Sequence, residues 1–375
     1  MTLEQKKIMV IKIGSSTLVN DEGRLDVAYL EGLAAQVNAV RERGWTPIIV
    51  TSGAVACGLE ALGIDQRPSD TPSLQAAASV GTNILISSYA QAFAAYDILT
   101  SVVLITRQIT ADREQYLHVR DTLERLLDLN VIPIINENDT VSVDQLRFGD
   151  NDTLAALVAC LVKAQLCVIF SDIDGLYTAN PFEDPAATLI PEVTTITPGL
   201  MAAAGGSSST VGSGGMITKI RAARVLMAAG IDMVICQGRN EESLVQLAEG
   251  EAVGTRFSPQ GIAHDITPKK LWIALGDTAK GSVVIDAGAH EALVSRGSSL
   301  LAVGVRGVEG SFVREDIIDI IDEGGHIVAR GKAGASSSEI ALACGRSQKE
   351  IKSNELLKNL AQHPVVHRDE LVVFE

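Results

Sequence analysis

The stretch Ile8-Met9-Val10-Ile11-Lys12-Ile13-Gly14-Ser15-Ser16 decides how the rest of the chain is read. A continuous apolar run of this length, ended by Gly, is the pattern of a strand buried on both faces. Lys12 interrupts it, and an ammonium without a counter-charge is costly to bury. Either Lys12 snorkels to a surface carboxylate, or it serves an anion at the strand's end. Gly14-Ser15-Ser16 favours the second reading, because glycine backbone and hydroxyls let a phosphate approach closely.

Working outward, the same strand texture recurs at Pro47–Thr51, Ser101–Ile105, Val131–Ile135, Leu166–Ser171 and Asp232–Cys236. Between these runs lie helical patterns at Asp26–Arg43, Ser73–Tyr96, Arg113–Leu129, Asp152–Lys163 and Met216–Ala229. Strand–helix alternation at this spacing predicts an α/β fold: a three-layer αβα sandwich with a largely parallel sheet. In such sheets ligands bind at the carboxyl ends of the strands. The loops after the strands are therefore where chemistry is sought.

Near residue 260 the texture changes. Asp265–Lys270 is a polar junction containing Pro268, and short strands at Ser282–Ile285, Ile317–Ile321 and Ile327–Arg330 follow it. Gly pairs and a Gly/Ser-rich turn at Gly331–Ser338 break them. The expected organisation is a catalytic domain over 1–262, a linker over 263–279, a small β-rich barrel-like domain over 280–360, and a tail over 361–375.

Composition bounds the function. The 375 residues are 46% hydrophobic and 21% charged, which excludes disorder, and the net charge of −15 argues against nucleic acid. The five cysteines form an odd set without a C-x-x-C pair, so neither a disulfide framework nor a zinc site is expected. No apolar run reaches the roughly 18 residues of a membrane span. Met1–Lys7 is polar and unlike a signal peptide, so a cytoplasmic location is expected.

The strand-end loops are dense in polar groups. Thr51-Ser52-Gly53-Ala54 offers small residues and amides at a helix start, suited to a carboxylate or phosphate. Asn136-Glu137-Asn138-Asp139 places four polar residues directly after an apolar strand. Gly149-Asp150-Asn151-Asp152 precedes an apolar helix; one residue suffices for an N-cap, and three exceed that need. Ser171-Asp172, followed by Asp174-Gly175-Leu176-Tyr177, suits a nucleotide's base and ribose. The Gly/Ser-rich stretch Gly205–Gly215 leads into a helix carrying Lys219, a combination that reads as a phosphate cradle. G-x-x-x-x-G-K-[ST] and G-x-G-x-x-G are both absent, as are the protein-kinase motifs.

Taken in order, these motifs over nearly the whole chain resemble the amino acid kinase family. They are most similar to its members that phosphorylate L-glutamate and carry an appended PUA domain. Asp286-Ala287-Gly288-Ala289 and Arg296-Gly297-Ser298-Ser299-Leu300-Leu301 resemble the opening of that appendage. The resemblance implies transfer of the γ-phosphoryl of ATP, with Mg²⁺, to the glutamate side chain. The product would be L-glutamyl 5-phosphate, in the first step of proline biosynthesis.

It also implies residue roles. Lys12, Lys219 and Asp152 would be catalytic, with Asp152 orienting the two lysines. Ser52, Gly53, Ala54, Asp139 and Asn151 would bind glutamate. Lys12, Ser171, Asp172, Ser213, Gly214, Gly215, Met216, Ile217, Thr218 and Lys219 would bind ATP, and no protein residue is assigned to metal. Homo-oligomers, feedback inhibition by proline and handover to glutamyl phosphate reductase are implied as well. Two alternatives are another acceptor within the same family and an RNA-binding role for the PUA-like domain. From Lys280 onward the net charge is −3, with no basic stripe, which speaks against RNA.

Overall fold

The computed structural model of the chain describes residues 6–20, 22–110, 112–141, 151–204, 215–259, 267–275 and 279–374. It divides into two compact units, Met1–Ile196 with Leu200–Pro259, and Thr197–Gly199 with Gln260–Glu375. Among the described residues, no helix is long and apolar enough to cross a membrane.

The first unit is built on an eight-stranded sheet. Its strands are β1 (Lys7–Ile13), β2 (Trp45–Thr51), β3 (Thr100–Ile105), β4 (Ile132–Glu137), β5 (Leu166–Ser171), β6 (Glu192–Val193), β7 (Asp232–Gln237) and β8 (Thr255–Phe257). They lie in the order β3-β4-β2-β1-β5-β7-β8-β6, and every pairing is parallel except β7 with β8. β1 is central and buried from Ile8 onward, which is why its sequence is apolar on both faces. On one side the chain winds outward from β1 through β2; on the other it restarts at β5. The crevice beyond the carboxyl ends of β1 and β5 is thus the topological switch point where such sheets bind ligands.

Helices follow the strands as the periodicity predicts. A single turn, α1 (Ser15–Leu18), leaves the end of β1, and α2 (Val27–Glu42) follows, its Asp26 N-cap accepting from Tyr29 N at 3.1 Å. After β2 come α3 (Ala54–Ala61) and α4 (Thr71–Ala94), the latter capped by Asp70 with Pro72 in its first turn. α3 and α4 touch backbone to backbone through two glycines. A Cβ on Gly58 would lie 1.7 Å from the Ala77 carbonyl oxygen, and one on Gly81 would lie 1.8 Å from that of Ala54. This contact sets where α3 begins, and α3 begins at Gly53-Ala54, one of the strand-end loops singled out in the sequence.

The second unit holds a five-stranded sheet: β9 (Gly281–Ile285), β10 (Val305–Gly310), β11 (Ile317–Ile321), β12 (Ile327–Lys332) and β13 (Leu371–Val373), in the order β10-β9-β11-β12-β13. Its own core gathers Val283, Ile318, Ile320, Val328, Ile340 and Val366. Short helices also occur here that the sequence reading did not place. Asp286 caps Ala287–Arg296, accepting from Ala289 N at 2.8 Å. Part of the Gly/Ser stretch is no turn: Ser336 and Glu339 form a capping box that starts Ser337–Ala343. The stretch read as linker contains the helix Pro268–Leu275, and the stretch read as tail contains β13, paired antiparallel with β12.

The glycine contact yields a prediction. Gly81→Ala forces α3 and α4 apart and is expected to lower stability by about 1–3 kcal/mol. Gly32→Ala in α2, where a methyl meets nothing within 4 Å, should be neutral or stabilising by about 0.5–1 kcal/mol. Thermal denaturation of the two variants side by side checks both signs.

Candidate active site

Lys12 sits one residue before the end of β1, level with Val50 of β2 and Ile169 of β5. Its ammonium does not snorkel. Lys12 is 6% exposed, and its Nζ lies 2.8 Å from Oδ1 of Asp152, which is fully buried. Asp152 is in the first turn of the helix Asn151–Leu161, where a negative charge also suits the helix dipole. From the opposite side Lys219, in the first turn of the helix Met216–Ala228, brings its Nζ to 3.1 Å from Oδ2. Thr218 Oγ1 donates to the same oxygen at 2.8 Å. One carboxylate therefore bridges two buried ammonium groups. Burial opposes ionisation of Asp152, but the charges of Lys12 and Lys219 outweigh it and hold the carboxyl well below the usual carboxylate range.

The neighbouring Asn151 organises a second cluster. Its Nδ2 lies 2.5 Å from the Thr51 carbonyl oxygen, 2.8 Å from Ser52 Oγ and 3.0 Å from Asn136 Oδ1. Asn136 Oδ1 also accepts from the Glu137 amide at 2.9 Å, which fixes its orientation. The ends of β2 and β4 are thereby tied to the start of the Asn151 helix. At the other end of the loop, Gly53 adopts φ of +99°, a left-handed conformation that favours glycine, and hands over to α3. Ala54 is buried as the first residue of that helix.

Asp139 lies three residues beyond Asn136, half-buried, and burial pushes its carboxyl up to about 6, with Arg67 opposing. Ser171 ends β5, next to β1, and Asp172 follows it. The Ser171 hydroxyl donates to Asp172 Oδ1 at 3.0 Å, and Gln237 of β7 donates to the Asp172 carbonyl at 3.1 Å. Gly215 caps the helix Met216–Ala228 without a side-chain bond, and Met216 and Ile217 form its half-buried first residues. Ser213 and Gly214, like Gly149 and Asp150, lie outside the described residues.

The structure thus joins Lys12, Asp152, Thr218 and Lys219 in one cluster, and Asn151 with Ser52 in an adjoining one. The sequence reading assigned no role to Thr51 or Asn136, although both hold Asn151. Both stood inside quoted motifs, Thr51 at the end of β2 and Asn136 at the end of β4, without a role of their own.

Two cations fixed on a buried carboxylate at the switch point of an αβα sandwich define a class that moves a strongly anionic group. The model of the amino acid kinase family matches residues 7–237, and that of the PUA domain matches residues 281–354. The chain belongs to the amino acid kinase family. Among its relatives, "Glutamate 5-kinase" of Geobacter sp. (strain M21) is 44% identical over 99% of this chain and 98% of its own length. The proteins of the same name from Burkholderia ambifaria and Myxococcus xanthus are 44% and 43% identical, each over 99% of this chain and over 99% and 97% of their own lengths.

The bridge has an energetic consequence. Asp152→Ala removes the carboxylate that two buried ammonium groups share, and is expected to cost about 3–5 kcal/mol of stability. Lys12→Met leaves Asp152 its second lysine and should cost less. Urea unfolding of the two variants measures the difference; equal midpoints would contradict it.

Proposed function

We propose that the chain transfers the γ-phosphoryl group of ATP to the side-chain carboxylate of L-glutamate, giving L-glutamyl 5-phosphate. The observation that carries this reading is the Lys12–Asp152–Lys219 bridge at the carboxyl end of the central strand. Membership of a kinase family supports ATP as donor, and full-length similarity to proteins named for glutamate supports the acceptor.

The chemistry needs no general base. A side-chain carboxylate with a pKa of about 4.3 is already ionised at neutral pH. The difficulty is bringing two anions together in line, and fixed positive charge is the remedy. Lys12 and Lys219 flank the transferring group, while Asp152 holds both ammonium groups in place. Ser52, Asn151 and the Gly53-Ala54 backbone hold the acceptor, and Asp139 takes its α-ammonium. Ser171, Asp172 and the segment 213–219 hold the nucleotide. The described donors at these strand ends are ammonium groups, hydroxyls and amides, a set that grips phosphate, which fits Mg²⁺ arriving on the phosphate oxygens it prefers. Bound there, the ion would neutralise charge developing on those oxygens. The chemistry is assigned to 1–262, and the PUA domain is given no part in it.

Incubation with Mg-ATP, glutamate and hydroxylamine tests the reading, because an acyl phosphate is trapped as the hydroxamate. Glutamate-dependent hydroxamate and ADP are expected in equal amounts; ADP without hydroxamate would contradict the reading. Lys12→Ala and Lys219→Ala should each lower kcat by about 10²–10³-fold, the usual scale for losing one preorganised charge partner.

Asp139 gives a pH prediction. Its carboxyl, pushed up to about 6, is ionised above that pH and neutral below it. Only the ionised form attracts an ammonium group. The kcat/KM for glutamate should therefore rise with pH through about 6 and then level off. Asp139→Asn should abolish that limb and raise KM for glutamate far more than KM for ATP. A larger effect on ATP would move Asp139 to the nucleotide side.

A further inference from the structure

Behind the Ser52-Gly53 loop, α4 carries a tyrosine that the chemistry above does not use. Tyr89 is fully buried, and its hydroxyl lies 2.9 Å from Thr51 Oγ1, itself fully buried at the end of β2. Thr51 Oγ1 also lies 3.0 Å from the Ser52 carbonyl oxygen, to which it donates. A hydroxyl carries one hydrogen. Since Thr51 gives its hydrogen to the Ser52 carbonyl, the proton between the two hydroxyls must come from Tyr89. The direction of the chain is fixed: Tyr89 O–H to Thr51 Oγ1, and Thr51 O–H to Ser52 C=O.

This chain of bonds holds one face of a peptide plane. In a trans peptide the carbonyl and the following N–H point in opposite directions. Drawing the Ser52 carbonyl toward Thr51 and α4 therefore turns the Gly53 N–H away from α4. Among the described residues that N–H has no protein acceptor, and the positive φ of Gly53 lets the backbone take this turn. The Thr51 carbonyl meanwhile accepts from Asn151, so the residue that receives the tyrosine's proton is also bonded to the acceptor cluster. Burial raises the Tyr89 phenol above its ordinary pKa, which keeps the donor protonated throughout the working range.

We propose that Tyr89 is a positioning residue of the acceptor site, acting through Thr51 to present the Gly53 N–H to a carboxylate oxygen of the acceptor. This rests on the glutamate-kinase reading above. Tyr89 touches no reacting atom. What it supplies is orientation, which matters because a free loop peptide would otherwise flip between conformations of similar energy.

The test is steady-state kinetics of Tyr89→Phe, which deletes one oxygen from a packed ring. KM for glutamate is expected to rise about tenfold, the effect of losing one well-placed hydrogen bond to a charged group. KM for ATP should stay within twofold. Thr51→Val should reproduce the effect, and Thr51→Ser, which keeps the hydroxyl, should recover most of what Thr51→Val loses. The double variant Tyr89→Phe with Thr51→Val should be no worse than the poorer single one, since both break the same chain of bonds. An unchanged KM for glutamate in Tyr89→Phe overturns the proposal. So does a parallel rise in both KM values with a lowered melting temperature, which would mark a packing role only. Absence of glutamate-dependent turnover in the unaltered protein would instead overturn the underlying function.

Discussion

One buried carboxylate sets the terms on which this site is built. Asp152 has no exposure to water, and two ammonium groups lie within 3.1 Å of its oxygens. None of the three charges is tolerable in that position alone. Each exists there because the others do, and their mutual attraction fixes the ends of three separate elements relative to one another. β1 supplies Lys12, the Asn151–Leu161 helix supplies Asp152, and the Met216–Ala228 helix supplies Lys219. A strand and two helix N-termini are thereby pinned at the switch point of the sheet. The electrostatic core of the site and its scaffold are the same object.

The cluster around Asn151 is held differently, by neutral hydrogen bonds and close backbone contact. Asn151 ties β2 to β4 through the Thr51 carbonyl and Asn136, and the Gly58–Gly81 contact fixes where α3 starts. Charge is concentrated around Asp152, and amides and hydroxyls are gathered around Asn151. Asn151 and Asp152 are adjacent in sequence yet serve opposite sides of this division. A shift of that helix by one residue would disturb both.

Much of this was legible in the sequence because the physical demand was local. An ammonium inside Ile8–Ile13 announces a missing counter-charge, and the alternation of strands and helices announces a parallel sheet with its chemistry at the strand ends. The partner of Lys12 was not legible from residues alone. Asp152 stands far away in sequence and could equally have served as a helix cap; family resemblance, rather than spacing, singled it out. Tyr89 was hidden because a tyrosine among apolar helix residues reads as core, which it also is. The second unit was read as mainly β because its helices are short and lie between glycines. The cap signals at Asp286 and at Ser336 with Glu339 were nonetheless present. β13 gave no signal, since three residues near a chain end form a strand only when a neighbouring edge accepts them.

Asp152 is the fixed electrostatic bridge between the two buried ammonium groups, and the proposed transfer depends on it. Asp152→Asn nearly keeps the side-chain volume, removes the charge and turns one of the two acceptor oxygens into a donor. Single-turnover chemistry by rapid quench, with enzyme in excess over γ-labelled ATP and glutamate saturating, reads its effect on the transfer step directly. The expected rate is about 10²–10³-fold below that of the unaltered protein, with the affinity for Mg-ATP changed far less. A transfer rate within about fivefold of the unaltered protein would contradict it, because fixed charge of this kind is worth orders of magnitude in the transition state.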